Sequence, residues 1–189
     1  MRESILAREI ITSKVISRII LVCFSVISIS LSSYVRIPLP FSPVPITLQT
    51  LFVLLTAALL REKLATLTIF IYLMLGIAGF PVFTFNSSIF YLFGPTAGYL
   101  IGFLLSSFLV GRVLSYFKKI DFFSAFFSLF LGEIIILSLG TIWLKVSLAL
   151  DFKKALILGA IPFIPLDLFK LWIAVKLFLK LNPRIRKII

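Results

Sequence analysis

Few residues in this 189-residue chain could carry chemistry. Of its seven acids, only Glu133 and Asp167 lie inside long apolar stretches; Glu3, Glu9, Glu62, Asp121 and Asp151 do not. Histidine is absent, which removes the commonest general base and nitrogen metal ligand. The single cysteine, Cys23, can close no internal disulfide and build no thiolate metal site. No glycine-rich phosphate loop with a Gly-Lys-Ser/Thr ending occurs, so ATP has no P-loop to bind. The remaining constellation is Pro162-Phe-Ile-Pro-Leu-Asp-Leu-Phe-Lys170. Asp167 and Lys170 are three apart and share a helix face. Ionisable groups inside an apolar span are costly and mark functional sites by default. One reading is a structural ion pair. The other is a ligand site, with Lys170 taking an anionic or carbonyl oxygen and Asp167 accepting N–H groups or holding the lysine. Pro162 and Pro165 loosen the first turns and leave backbone carbonyls to point inward. Glu133 stays open between a protonated acid, a partner for a basic residue and a group facing the bundle.

These residues need elements to hold them, and composition says which. Sixty-one per cent of the chain is apolar, 14% is charged and the mean hydropathy is +1.19. Soluble domains run at about 45–50% apolar and about 25% charged. A globule of this size cannot bury the excess, which excludes a soluble enzyme, a disordered chain and a nucleic-acid-binding domain. The net charge of +12 fits the positive-inside bias of membrane proteins. A membrane-embedded lipid-modifying enzyme would lack histidine and have only two intramembrane acids for acid–base or metal work. A channel would repeat polar residues along several helix faces, which these apolar segments do not.

A spanning helix needs about 20 mostly apolar residues. Six candidates emerge: Val15 to Ser33, Ile46 to Leu60, Leu64 to Gly79, Gly94 to Phe117, Phe122 to Leu144 and Ala155 to Leu179. Only Arg61, Glu62 and Lys63 separate the second from the third, which predicts a tight hairpin over a single long helix. With the N-terminus in the cytoplasm, the inner regions hold Arg2, Arg8, Lys14 and Arg18, then Arg61 and Lys63, then Arg112, Lys118 and Lys119. Lys176, Lys180, Arg184, Arg186 and Lys187 bring the inner total to 14, against four outside: Arg36, Lys145, Lys153 and Lys154. The asymmetry predicts an even number of spans with both termini cytoplasmic. The first apolar run lacks a small-residue cleavage pattern and leads into a proline-rich turn, so it reads as a retained helix and not a signal peptide. No polar linker interrupts the chain, which reads as one all-α domain over residues 1–189. No clear internal repeat appears, and a pore built by homo-oligomerisation stays open.

Two stretches between spans break the pattern. The first, Tyr34 to Thr50, places prolines at 38, 40, 43 and 45. Extended backbone at membrane depth must be covered or line a cavity, so it is either a rigid outer loop or a cap over an outward-facing pocket. Thr47, Gln49 and Thr50 then open the next helix, with Gln49 expected to face the interior. The second, Gly76 to Tyr99, carries no charge, four glycines and seven aromatics. Such loops suit a small planar or apolar ligand, and equally an interfacial aromatic belt.

Four blocks in this order carry a family resemblance. They are Pro38-Leu-Pro-Phe-Ser-Pro-Val-Pro-Ile-Thr-Leu-Gln-Thr50, then Gly76-Ile-Ala-Gly-Phe-Pro-Val-Phe83 followed by Gly94-Pro-Thr-Ala-Gly-Tyr-Leu-Ile-Gly-Phe103, then Gly140-Thr-Ile-Trp-Leu144, then the Pro162–Lys170 block. The chain resembles BioY, the biotin-binding S-component of energy-coupling-factor transporters. The resemblance implies a six-helix membrane bundle without a cofactor, whose ligand is biotin and whose partners are a transmembrane coupling subunit and ATPase subunits, unless it works alone. It implies Asp167, Lys170 and Asn86 as polar contacts, Phe41, Phe83 and Tyr99 as apolar walls, Gln49 and Thr47 as supports behind them, and Gly94 as part of the binding loop. A buried lysine gains most from a carboxylate, which favours that end of biotin at Lys170.

The chain departs from the family at Thr84-Phe-Asn-Ser-Ser88, where a glycine-rich run is usual, at Leu166 in place of glycine before the aspartate, and at Ala97 in place of a glycine. These make the outer loop bulkier. Helix one offers Ser25, Ser28 and Ser32 where the family offers a coupling subunit alanines. The topology has a direct check: in a Cys23→Ser background, Asn86→Cys should react with a membrane-impermeant thiol reagent in intact cells. Labelling only after permeabilisation would invert the orientation.

Overall fold

The computed structural model describes residues 2–84 and 93–186, with side chains from Lys14. Helix α1 spans Arg2–Tyr34. Val22, Val26, Ile29 and Ser33 are buried at spacings of four, three and four, so one stripe faces the bundle. Ile20, Phe24, Ile27 and Leu31 are exposed on the other side, as a lipid-facing surface requires. Ser32 is buried and bonds the Ile29 carbonyl at 2.7 Å, so it faces the bundle and is not part of an outward small-residue face.

The proline-rich segment folds into a two-stranded ribbon. Strand β1, Arg36–Ile37, pairs antiparallel with β2, Ile46–Thr47, in the register Arg36↔Thr47 and Ile37↔Ile46. All four prolines fall between the strands, where their missing N–H groups cost no ladder bond. This ribbon takes Ile46 and Thr47 out of the expected second helix, which starts at Gln49.

Helix α2, Gln49–Ile77, is a hairpin in all but its hydrogen-bond assignment. Arg61 has φ 61° and ψ −177°, a conformation that is nearly glycine-only. Gln49 Nε2 donates to Tyr72 Oη at 2.6 Å. A straight helix would hold positions 23 residues apart at about 35 Å, so the arms 49–60 and 62–77 run antiparallel, as the three-charge break predicts. The backbone at the bend is tight against α3, Ala97–Tyr116: a Cβ on Gly111 would lie 2.2 Å from the Glu62 nitrogen. Arg112 pairs with Glu62 at 3.2 Å across the same junction.

Helix α4, Phe122–Ser147, starts on a capping box between Asp121 and Ser124. Donation from the Ser124 backbone and hydroxyl holds the Asp121 carboxyl below its usual range. Helices α3 and α4 touch through glycines: a Cβ on Gly102 would lie 2.8 Å from Ile136 Cα, and Gly140 lies under the Tyr99 ring.

The expected last helix is two. Helix α5, Phe152–Gly159, and α6, Ile164–Ile185, meet at a 48° bend. Pro162 has no N–H to offer Leu158, so the ladder stops there. The freed Leu158 carbonyl accepts from Ser42 Oγ at 2.7 Å and the Gly159 carbonyl from Tyr99 Oη at 2.5 Å. These are the inward carbonyls that the prolines predict.

Lys14–Tyr34, Ala97–Tyr116 and Phe122–Ser147 are each long and apolar enough to cross a membrane, and the bent α5–α6 pair passes the same test as one broken span. With the two arms of α2, the bundle makes six passes. Its ends differ. Arg18, Arg61, Lys63 and Gly111 line one groove, and Lys176 Nζ lies 5.5 Å from the Phe122 ring centre, so that end is basic. The ribbon, the 80–84 segment and the α5–α6 joint gather at the other. The bend gives a stability test. Arg61→Gly should raise the melting temperature in detergent, relieving about 1–3 kcal/mol of strain, whereas Gly111→Val should lower it by overpacking. Unchanged melting in both would mean that this bend is not close-packed.

Candidate functional site

At the end opposite the basic groove the bundle encloses a cavity of about 50 Å³. Its walls come from the ribbon, the start of α2, the 83–84 segment, and one face each of α3, α4 and α6. Tyr99 and Phe103 of α3, Phe83 and Phe163 supply aromatic surface, and Thr47, Gln49, Thr50, Thr84, Asp167 and Lys170 supply the polar groups.

Lys170 is 6% exposed and Asp167 3%. An ammonium has three N–H donors, and Lys170 uses all three. It donates to the Thr47 carbonyl at 2.8 Å and to Thr50 Oγ1 at 2.7 Å, and it pairs with Asp167 one turn away. The lysine therefore ties α6 to the strand-to-helix junction 120 residues earlier. Thr47 has an exposed carbonyl to give because β2 ends there and α2 has not yet begun.

Gln49 is the second junction. Its Nε2 donates to Tyr72, and its Oε1 accepts from Thr84 Oγ1 at 3.0 Å. Tyr72 Oη donates to the Val82 carbonyl at 3.1 Å. Tyr34 donates to the Pro81 carbonyl and Arg36 to the Thr84 carbonyl. The segment before the aromatic loop is thus pinned by α1, the ribbon and both arms of α2. Phe83 is buried edge-on against Tyr72, with ring centres 5.5 Å apart, and packs over Gly76.

Of the residues expected from sequence, Asp167, Lys170, Gln49, Thr47, Phe83 and Tyr99 line this one cavity. Gly94 is not on its wall; its carbonyl accepts from Trp143 Nε1 at 2.9 Å, which fastens the start of α3 to α4. Phe41 lies away from the cavity and is 54% exposed. The turn closed by Ser42 N and the Leu39 carbonyl places Leu39 inward and Phe41 outward. Asn86 lies outside the described residues. Sequence reasoning missed Phe163, Thr96 and Phe103. Thr96, Tyr99 and Phe103 are spaced three and four apart, a helical stripe that could have been found from Tyr99 alone.

The family model described as the BioY family matches residues 3–187. The chain belongs to the BioY family. It is similar to the biotin transporter BioY of Thermotoga maritima, with 40% identity over 77% of this chain and 85% of that protein. It is also similar to the probable biotin transporter BioY of Pyrococcus horikoshii, with 38% identity over 71% of this chain and 78% of that one. Its fold matches the crystal structure of the S-component for biotin from an ECF-type ABC transporter. The TM-score is 0.85 with 29% identity, over 89% of this chain and 92% of that one. This BioY-family bundle is a multi-pass membrane protein of six helical passes.

The Gln49 clamp has its own test. Gln49→Leu and Tyr72→Phe should each lower the melting temperature, and a double-mutant cycle should give a coupling of about 0.5–3 kcal/mol. Additive effects would show that the two arms of α2 are held by packing alone.

Proposed function

We propose that this chain is the substrate-binding component of a biotin uptake system of a prokaryotic cytoplasmic membrane. The observation that carries the reading is the buried Asp167–Lys170 pair on the wall of an aromatic cavity, in a chain of the BioY family. Biotin has a ureido ring with two N–H donors and a carbonyl, an apolar thiophane ring and a valerate carboxylate. The cavity offers a cation, a carboxylate acceptor, amide and hydroxyl groups, and ring surfaces in a space a few ångströms across.

In this reading Lys170 exchanges one of its Thr47 or Thr50 acceptors for the biotin carboxylate, and Asp167 holds the lysine in place. Phe83, Tyr99 and Phe163 flank the ring system, and Gln49 and Thr47 support the contacts from behind. Asn86 is a further polar contact from the outer loop. Phe41, exposed on the ribbon, is left out of the pocket wall. The cavity end faces outward, because the opposite end carries Arg18, Arg61, Lys63 and Arg112, and basic residues concentrate on the cytoplasmic side. Both termini then lie in the cytoplasm. The role is capture and transfer and not catalysis. With no P-loop in the chain, ATP-derived energy has to enter through separate ATPase subunits and a coupling subunit. The alternatives are that the chain works alone or as a homo-oligomer.

The test is calorimetry on the purified chain with biotin, thiamine and riboflavin. Tight binding of biotin alone is expected, and Lys170→Ala should weaken it by about 2 kcal/mol or more, roughly 30-fold. Binding of another vitamin in place of biotin would overturn the ligand. Unchanged affinity in a folded Lys170→Ala protein would overturn the α6 site.

A further inference from the structure

The basic end of the bundle carries another concavity, which shares no lining residue with the cavity described above. A groove of about 520 Å³ opens there between α1, the bend of α2 and the last turns of α3. Arg18, Arg61 and Lys63 line it against one carboxylate, Glu62. That carboxylate is paired with Arg112 of α3 at 3.2 Å. Among the described residues neither Arg61 nor Lys63 makes an ion pair. The groove therefore keeps its positive charge.

The concavity does not end at the charges. A furrow of about 440 Å³ continues from Lys63 and Leu67 along the second arm of α2, with Phe70 on one side and Leu104 and Phe108 of α3 on the other. From Lys63 to Phe70 is about 10 Å of helix, running from the bend toward the middle of the bundle. Thr66 also borders the furrow, but its hydroxyl donates to the Glu62 carbonyl at 2.7 Å. The furrow is thus an apolar trough that starts at a cationic mouth. Arg61 adds an independent sign. Its φ of 61° with ψ −177° is a nearly glycine-only conformation, yet the residue is an arginine. Strain of this kind clusters at ligand sites, and a guanidinium binds phosphate oxygens in pairs.

We propose that this groove is a binding site for an anionic phospholipid of the leaflet at the basic end, the cytoplasmic leaflet in the topology given above. Arg61 and Lys63, with Arg18 from α1, hold the phosphate. One acyl chain lies in the furrow between the second arm of α2 and α3. Basic pockets between helices on the cytoplasmic side suit anionic head groups, and a zwitterionic lipid would bring its own ammonium against the same cations. The bound lipid bridges α1, α2 and α3 at the strained bend. The site is independent of the biotin reading.

The test is native mass spectrometry of the whole protein in detergent, titrated with phosphatidylglycerol or with phosphatidylcholine of the same acyl chains. Phosphatidylglycerol should bind about tenfold or more tightly than phosphatidylcholine, and no preference would overturn the proposal. Arg61→Gly with Lys63→Gln should weaken phosphatidylglycerol about tenfold or more, at about fivefold per basic residue. Lys118→Gln with Lys119→Gln removes the same charge outside the groove and should stay within about twofold of the parent protein. Equal loss in the two double variants would reveal diffuse attraction to surface charge and would overturn the site. Leu104→Trp, which fills the furrow and leaves the charges alone, should also weaken phosphatidylglycerol; unchanged affinity would overturn the acyl-chain placement. Full displacement of the lipid by glycerol 3-phosphate at equal concentration would assign the groove to a free phosphate and overturn the lipid. Should the first double variant fail to fold, Lys63→Gln alone, on an exposed side chain, decides: a loss of about fivefold supports the site and no loss overturns it.

Discussion

The ammonium of Lys170 is almost fully buried and finds three acceptors inside the protein. Much of the cavity half of the bundle is arranged to supply them. One is a turn away on its own helix, Asp167. The other two come from Thr47 and Thr50, where the ribbon hands over to α2. That junction can supply a backbone carbonyl only because the chain leaves β2 before it enters the helix. The ribbon keeps this shape because its four prolines favour an extended path. The cation thus sets the register between the two ends of the chain.

The remaining connections serve the same end. Gln49 sits two residues after Thr47 and carries the order of the ribbon to Tyr72 and Thr84 on the far side of the hairpin. At the opposite end, the hairpin closes on the Gly111 backbone with almost no space between main chains. Polar side chains organise the cavity end, while packing and a strained residue organise the other. An apolar bundle in lipid gains little from helix–helix hydrophobic contact, so close main-chain approach and buried hydrogen bonds carry its specificity.

Sequence reasoning could read the parts governed by hydropathy and by scarce residue types. Six passes, the break at Arg61–Lys63 and the interior placement of Asp167 and Lys170 all follow from how rarely charge interrupts the apolar runs. The Pro38–Pro45 cluster marked an extended segment beside a cavity. What could not be read was direction in three dimensions. Phe41 and Phe83 sit in equally distinctive blocks, and only the turn at Leu39–Ser42 decides that one points outward while the other is buried. The division of the last helix was visible as two prolines, but its 48° bend depends on which side chains capture the freed carbonyls. Glu133 stayed open, and among the described residues its buried Oε1 finds no hydrogen-bond partner.

The joint between α5 and α6 differs from an ordinary helix kink in what secures it. Leu158 and Gly159 give their carbonyls to a serine of the ribbon and a tyrosine of α3, so the joint's stiffness is set by residues outside either helix. Net hydrogen bonds of this kind are worth about 0.5–1.5 kcal/mol each. Substitutions at Ser42 or Tyr99 can therefore loosen or tighten the hinge while both helical segments stay intact. Natural variation has a way to adjust the mechanical compliance of this bundle without altering the residues that carry charge.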